Sequence, residues 1–101
     1  MTKLNDREIH QRMKQLESNW VLKGKFIQRE IMFSNFVEAF SFMTSVALVA
    51  EKIDHHPNWE NSYNKVTIAL STHDSDGITE KDFSLAKEID VIIKKYVQQH
   101  T

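Results

Sequence analysis

Trp59-Glu60-Asn61-Ser62-Tyr63-Asn64-Lys65-Val66-Thr67-Ile68-Ala69-Leu70-Ser71-Thr72-His73 is the stretch from which the fold is read. Val66, Ile68 and Leu70 alternate with Thr67, Ala69 and Ser71. That is the period of a half-buried strand, whose successive side chains point to opposite faces. Asn64-Lys65 separates this run from Trp59 to Tyr63, so the spacing predicts an antiparallel hairpin. Continuing the alternation sends Ser71 and His73 to the face away from the core and leaves His73 at the strand's exit.

Working upstream, 11 of the 15 residues from Phe36 to Ala50 are apolar. Ser34 or Asn35 can cap a helix there, and it runs toward Asp54. It must stop by Pro57, because proline disfavours the helical conformation in the residue before it. Apolar residues surround most of this helix instead of forming one stripe, which predicts burial on two sides, against a sheet and in a subunit interface. Trp20-Val21-Leu22 and Phe26 to Phe33 flank Lys23-Gly24-Lys25, whose glycine suits a tight turn, so this region reads as another hairpin. From Asn5 or Asp6, residues Ile9, Met13, Leu16 and Trp20 recur at helical spacing, giving an amphipathic helix that ends near Ser18.

Downstream, His73-Asp74-Ser75-Asp76-Gly77 is a loop by composition. Thr79 followed by Glu80 and Asp82 opens a last helix. Phe83, Ala86, Ile89 or Ile93, and Tyr96 or Val97 supply its apolar face. The order is α-β-β-α-β-β-α, an α+β fold with a four-stranded antiparallel sheet and three helices on one face.

The length of 101 residues predicts a single domain spanning 1–101. Thirteen basic residues against 14 acidic give no reason to expect nucleic acid or an anionic membrane as partner. The chain has no cysteine, which excludes disulfides, Cys-ligated zinc and thiol nucleophiles. No apolar run resembles a signal peptide or a membrane span, so the expected location is cytoplasmic.

Chemistry concentrates where elements end. Glu51 and His55 stand at i,i+4, so a continuing helix would let the carboxylate orient the imidazole. His56 follows at once, and Pro57 forces an irregular turn that lets both rings face one cleft. His73 leaves a strand and Asp82 lies in the first turn of the last helix. Imidazoles titrate near neutrality and carboxylates orient them, so this set suits general acid-base work. Each residue also has a plainer reading. Thr79-x-x-Asp82 approximates a capping box, Glu51 could pair with Lys52 or Lys81, and Trp59 and Tyr63 suit sheet or pocket packing. A metal is expected less than acid-base use, because the spacing is unlike His-Glu-x-x-His on a helix. His10 and His100 are assigned no role.

The run Glu51-Lys52-Ile53-Asp54-His55-His56-Pro57-Asn58-Trp59, with Tyr63-Asn64-Lys65-Val66, Leu70-Ser71-Thr72-His73, Gly77-Ile78-Thr79 and Asp82, resembles the signature of the pterin-4a-carbinolamine dehydratases. The similarity extends from about Trp20 to about Ala86, and the combination of motifs is far more specific than His-His-Pro-x-Trp alone. The resemblance implies four antiparallel strands backed by three helices and a homodimer or homotetramer. It implies dehydration of a 4a-hydroxytetrahydropterin to the quinonoid dihydropterin in tetrahydrobiopterin recycling, with no cofactor and no metal. His55, His56 and His73 would line the pterin pocket, with His55 and His73 as the proton-transfer pair. Glu51 and Asp82 would position them, and Trp59 and Thr72 are candidates for the pocket wall. Animal members also dimerise a homeodomain transcription factor, so the resemblance leaves room for a protein partner on the second helix.

Overall fold

The structure, a computed structural model, describes residues 2–97; His100 and the side chain of Val97 lie outside what it describes. Helix α1 (Asp6–Met13) is followed by strands β1 (Val21–Lys23) and β2 (Phe26–Met32), then helix α2 (Phe36–Lys52). Strands β3 (Asn58–Ser62) and β4 (Lys65–Leu70), a 3-10 turn (His73–Ser75) and helix α3 (Glu80–Val97) complete the described residues. All strand pairs are antiparallel, in the spatial order β1-β2-β4-β3. The α+β reading therefore holds, with the second hairpin supplying one central strand and one edge.

Alternation explains the sheet. Val66, Ile68 and Leu70 on β4 are fully buried, as is Ile27 on β2, with Ile31 close to it. Each such side chain contributes roughly 1.5–3 kcal/mol by leaving water. The outward residues Thr67 and Ala69 are only partly covered. The second turn falls one residue earlier than expected, at Tyr63-Asn64, because Ser62 pairs with Lys65. Tyr63 takes a left-handed φ of 52°. The Asn61 side-chain amide holds that conformation by donating to the carbonyls of Tyr63 (3.0 Å) and Lys65 (2.9 Å).

Trp20 departs from both expected roles. It lies outside helix and strand, buried at 4% exposure. Its indole Nε1 donates to Asp90 Oδ1 at 2.7 Å, and Arg29 Nη1 reaches the same oxygen at 2.7 Å. Asp90 thus ties the exit of α1, the inner face of β2 and α3 together inside the core. Helix α1 is also shorter than its periodicity suggested, ending at Met13 and continuing as single turns to a buried Leu16.

Asn35 caps α2, its side chain accepting from Glu38 N at 2.9 Å. Ala39, Phe42, Val46 and Ala50 form the buried stripe of α2, while Phe36, Val37, Phe40 and Leu48 are exposed. One apolar side is packed within the chain, and the other, expected to lie in a subunit interface, faces outward. Among the described residues, no helix is long and apolar enough to cross a membrane.

Candidate active site

The site begins where α2 stops. Asp54 N donates to Glu51 O at 3.2 Å and His55 N to Ala50 O at 3.0 Å. With Asp54 left-handed at φ 55°, these two bonds make a Schellman motif. Aspartate tolerates this conformation better than most side chains, since its short polar group bonds locally. The helix therefore ends before His55, and the expected i,i+4 partnership between Glu51 and His55 does not form. Glu51 Oε1 instead meets His56 Nε2 at 2.8 Å, with both side chains exposed.

His55 turns inward. Its Nε2 lies 2.6 Å from Asp82 Oδ1, and Asp82 is completely buried. The other oxygen of Asp82 accepts from Thr72 Oγ1 at 2.8 Å and from Thr79 N at 2.9 Å. Thr79 Oγ1 in turn accepts from Lys81 N at 3.2 Å and contacts Thr72 Oγ1 at 2.7 Å. The capping box and the histidine partnership are thus not alternatives. Asp82 uses Oδ2 to close the N-terminus of α3 and Oδ1 to hold the imidazole. With its carboxylate ionised, Asp82 can only accept, so His55 carries its proton on Nε2 and Nδ1 is the nitrogen left for another partner.

His73 opens the 3-10 turn after β4 and is exposed. The loop behind it is closed by Thr72 N donating to Gly77 O at 2.8 Å. A cleft of about 270 Å³ is lined by Asp54, His55, His56, Ser71, Thr72, His73, Asp74 and Lys81. The structure therefore brings His55, His56, His73 and Thr72 to one wall, with Asp82 bonded behind His55 and Glu51 reaching the site through His56. Trp59 does not line this cleft. It pairs with Ile68, packs partly buried against the core, and borders a separate hollow with Phe26, Gln28, Thr67 and Ala69. Among the described residues, no group of three or more His, Asp or Glu side chains is arranged to hold a metal ion.

Sequence reasoning missed Ser71, Asp54, Asp74 and Lys81 as cleft residues, and it read Thr79 only as a cap. The outward alternation along β4 was the signal that could have found Ser71. Nothing local marks the others, which reach the cleft only because two chain reversals meet there.

Residues 2–92 match the family model described as pterin 4 alpha carbinolamine dehydratase. A protein of Prochlorococcus marinus strain MIT 9312, provisionally named pterin-4-alpha-carbinolamine dehydratase, is 54% identical over 88% of this chain and 92% of its own. One from Christiangramia forsetii, named likewise, is 47% identical over 93% of this chain and 96% of its own. Among solved structures, a transcriptional coactivator/pterin dehydratase from Brucella melitensis superposes with a TM-score of 0.85 at 39% identity, covering 90% of this chain and 98% of that one. A pterin dehydratase-like RuBisCO assembly factor of the alpha-carboxysome shares the fold at a TM-score of 0.60 and 19% identity, over 72% of this chain and 84% of that one.

Proposed function

Since this chain belongs to the pterin-4a-carbinolamine dehydratase family, we propose that it dehydrates a 4a-hydroxytetrahydropterin to the quinonoid dihydropterin, with its own imidazoles as acid and base. The observation that carries this reading is the buried His55–Asp82 pair opening onto the same cleft as His73 and His56. In the reaction the bond between C4a and its hydroxyl breaks, the hydroxyl leaves as water after taking a proton, and N5 loses its proton as the C4a–N5 double bond forms. One group must give a proton and another accept one, and both must sit within hydrogen-bond reach of a small heterocycle. His55, presenting Nδ1, and His73, arriving from the strand end, are the proton-transfer pair in this proposal. His56 mainly binds substrate, Thr72 lines the wall, and Asp82 and Glu51 orient the rings.

The proposal extends to a cytoplasmic homodimer or homotetramer acting in tetrahydrobiopterin recycling. The exposed apolar row Phe36, Val37, Phe40 and Leu48 on α2 supports an interface there, with another copy or a different protein partner. Sedimentation at micromolar concentration checks the oligomer, and a monomer would remove it. For the reaction, stopped-flow measurement with freshly generated 4a-hydroxytetrahydropterin is the direct test. Acceleration above the buffer rate is expected, and none would overturn the reading.

A further inference from the structure

The ten residues from His73 to Asp82 carry a proposed catalytic histidine at one end and the anchor of another at the other end. Part of what holds the middle of this segment comes from the first 25 residues of the chain. Leu4 N donates to Ile78 O at 2.8 Å. The methylenes of Lys3 lie directly over Gly77, where an added Cβ would collide with them. Gly77 does not have a positive φ, so close approach, not backbone freedom, is what glycine supplies here. From α1, the Arg12 guanidinium forks onto the Glu80 carboxylate, with Nε at 2.8 and 2.9 Å from the two oxygens and Nη2 at 2.5 Å from one. From the β1–β2 turn, Lys25 Nζ reaches Asp76 Oδ1 at 2.7 Å.

These contacts fall on four of the five residues from Asp76 to Glu80, namely Asp76, Gly77, Ile78 and Glu80, between the two functional ends. Exposed ion pairs such as Arg12–Glu80 and Lys25–Asp76 add little to global stability, so stability alone gives weak reason for them. Their geometric effect is larger. They add to the hold on a loop that is otherwise restrained by its own 3-10 turn, a short bridge between Thr72 and Gly77, the burial of Ile78 in the core and the cap of α3.

Building on the proposed dehydration, we infer that the N-terminal strap, residues 3–12, acts with Lys25 to position the His73–Asp82 segment, setting His73 against the His55–Asp82 pair. Arg12 and Lys25 are positioning residues and touch no substrate. A loosened strap lets the segment drift, and misplacement of about 1 Å at a reacting group can cost up to about 10²-fold in rate.

The test compares wild type with Arg12→Ala/Lys25→Ala, with Arg12→Lys/Lys25→Ala, and with Lys94→Ala/Lys95→Ala as a charge-matched control away from both strap and segment. Two readouts are taken, steady-state dehydration and amide hydrogen exchange at Ser75, Asp76 and Gly77. For the first variant we expect kcat to fall about tenfold with KM within about twofold, and exchange at those amides to rise about tenfold. Amides of β2 and α2 keep wild-type exchange. Arg12→Lys recovers part of the loss, and the control matches wild type. Unchanged exchange overturns the inference, and so does raised exchange with unchanged kcat. A wild type that fails to dehydrate the carbinolamine defeats the proposed function separately, and the exchange readout then decides the strap's hold on the loop by itself.

Discussion

His55–Asp82 and His56–Glu51 are chemically the same pair, an imidazole against a carboxylate, at nearly the same separation of 2.6 and 2.8 Å. Their surroundings differ. The side chains of the first pair are 10% and 0% exposed, those of the second 57% and 80%. Asp82 is held by Thr72 and Thr79 before it meets His55, whereas Glu51 has water on most sides. Distance alone therefore says little about what a contact does. An exposed pair loses its advantage to solvent and to side-chain freedom, while a buried, fully bonded carboxylate is preorganised and fixes which ring nitrogen carries the proton.

The sharpest way to break this contrast is at Asp82. Asp82→Asn keeps the shape but lets the imidazole adopt the other tautomer, and we expect kcat to fall roughly 10³-fold or more, as such orienting carboxylates do elsewhere. Asp82→Ala additionally leaves the His55 ring and the Thr79 N–H buried without their acceptor. It should cost roughly 3 kcal/mol in urea unfolding. Next come His55→Ala and His73→Ala, each expected to lower kcat by ~10²–10⁴-fold while circular dichroism stays native. Unchanged turnover in either variant removes that residue from the mechanism.

Glu51→Gln sharpens the comparison from the other side. Its pair is exposed, and such pairs are worth at most about 1 kcal/mol, so its effect should stay below about tenfold and appear mainly in KM. A loss as large as that of Asp82→Asn would mean that exposure is a poor guide in this site. The smallest effect concerns the strap. The hydrogen bond from Arg12 holds the Glu80 carboxyl below its usual range, and that from Lys25 does the same for Asp76. A depressed folded value means that the stabilisation is present above the unfolded carboxylate pKa, near ~4, and disappears as pH falls through the folded one. The small gap in urea midpoint between wild type and Glu80→Gln should therefore close between about pH 5 and pH 3.

Much of the candidate site was legible because its residues sit at element ends that local rules locate. Pro57 and the apolar run before it announced a stopped helix, and the alternation of Val66, Ile68 and Leu70 delivered His73 to an exit. Asp82 was visible twice, as cap and as carboxylate, but nothing local indicated that its two oxygens would divide the work. The partner of Glu51 was misread because i,i+4 geometry presumes a continuing helix, and a left-handed Asp54 ends it just before His55. Trp59 was a candidate for the pocket wall through the family resemblance. Its strand register turned it to the core side instead.

The sequence by itself determined the α+β order, the antiparallel hairpins, the apolar second helix and the family, because periodicity, caps and motif spacing are local properties of the chain. Only the tertiary structure decided which carboxylate serves which histidine. It also decided that Asp90 gathers Trp20 and Arg29, and that residues 3–25 grip the segment between His73 and Asp82. Apart from His56–Glu51, those pairings join residues 27 to 74 positions apart. Over such separations no local propensity acts, and partners are chosen by which polar groups the packing of sheet against helices leaves facing one another away from water.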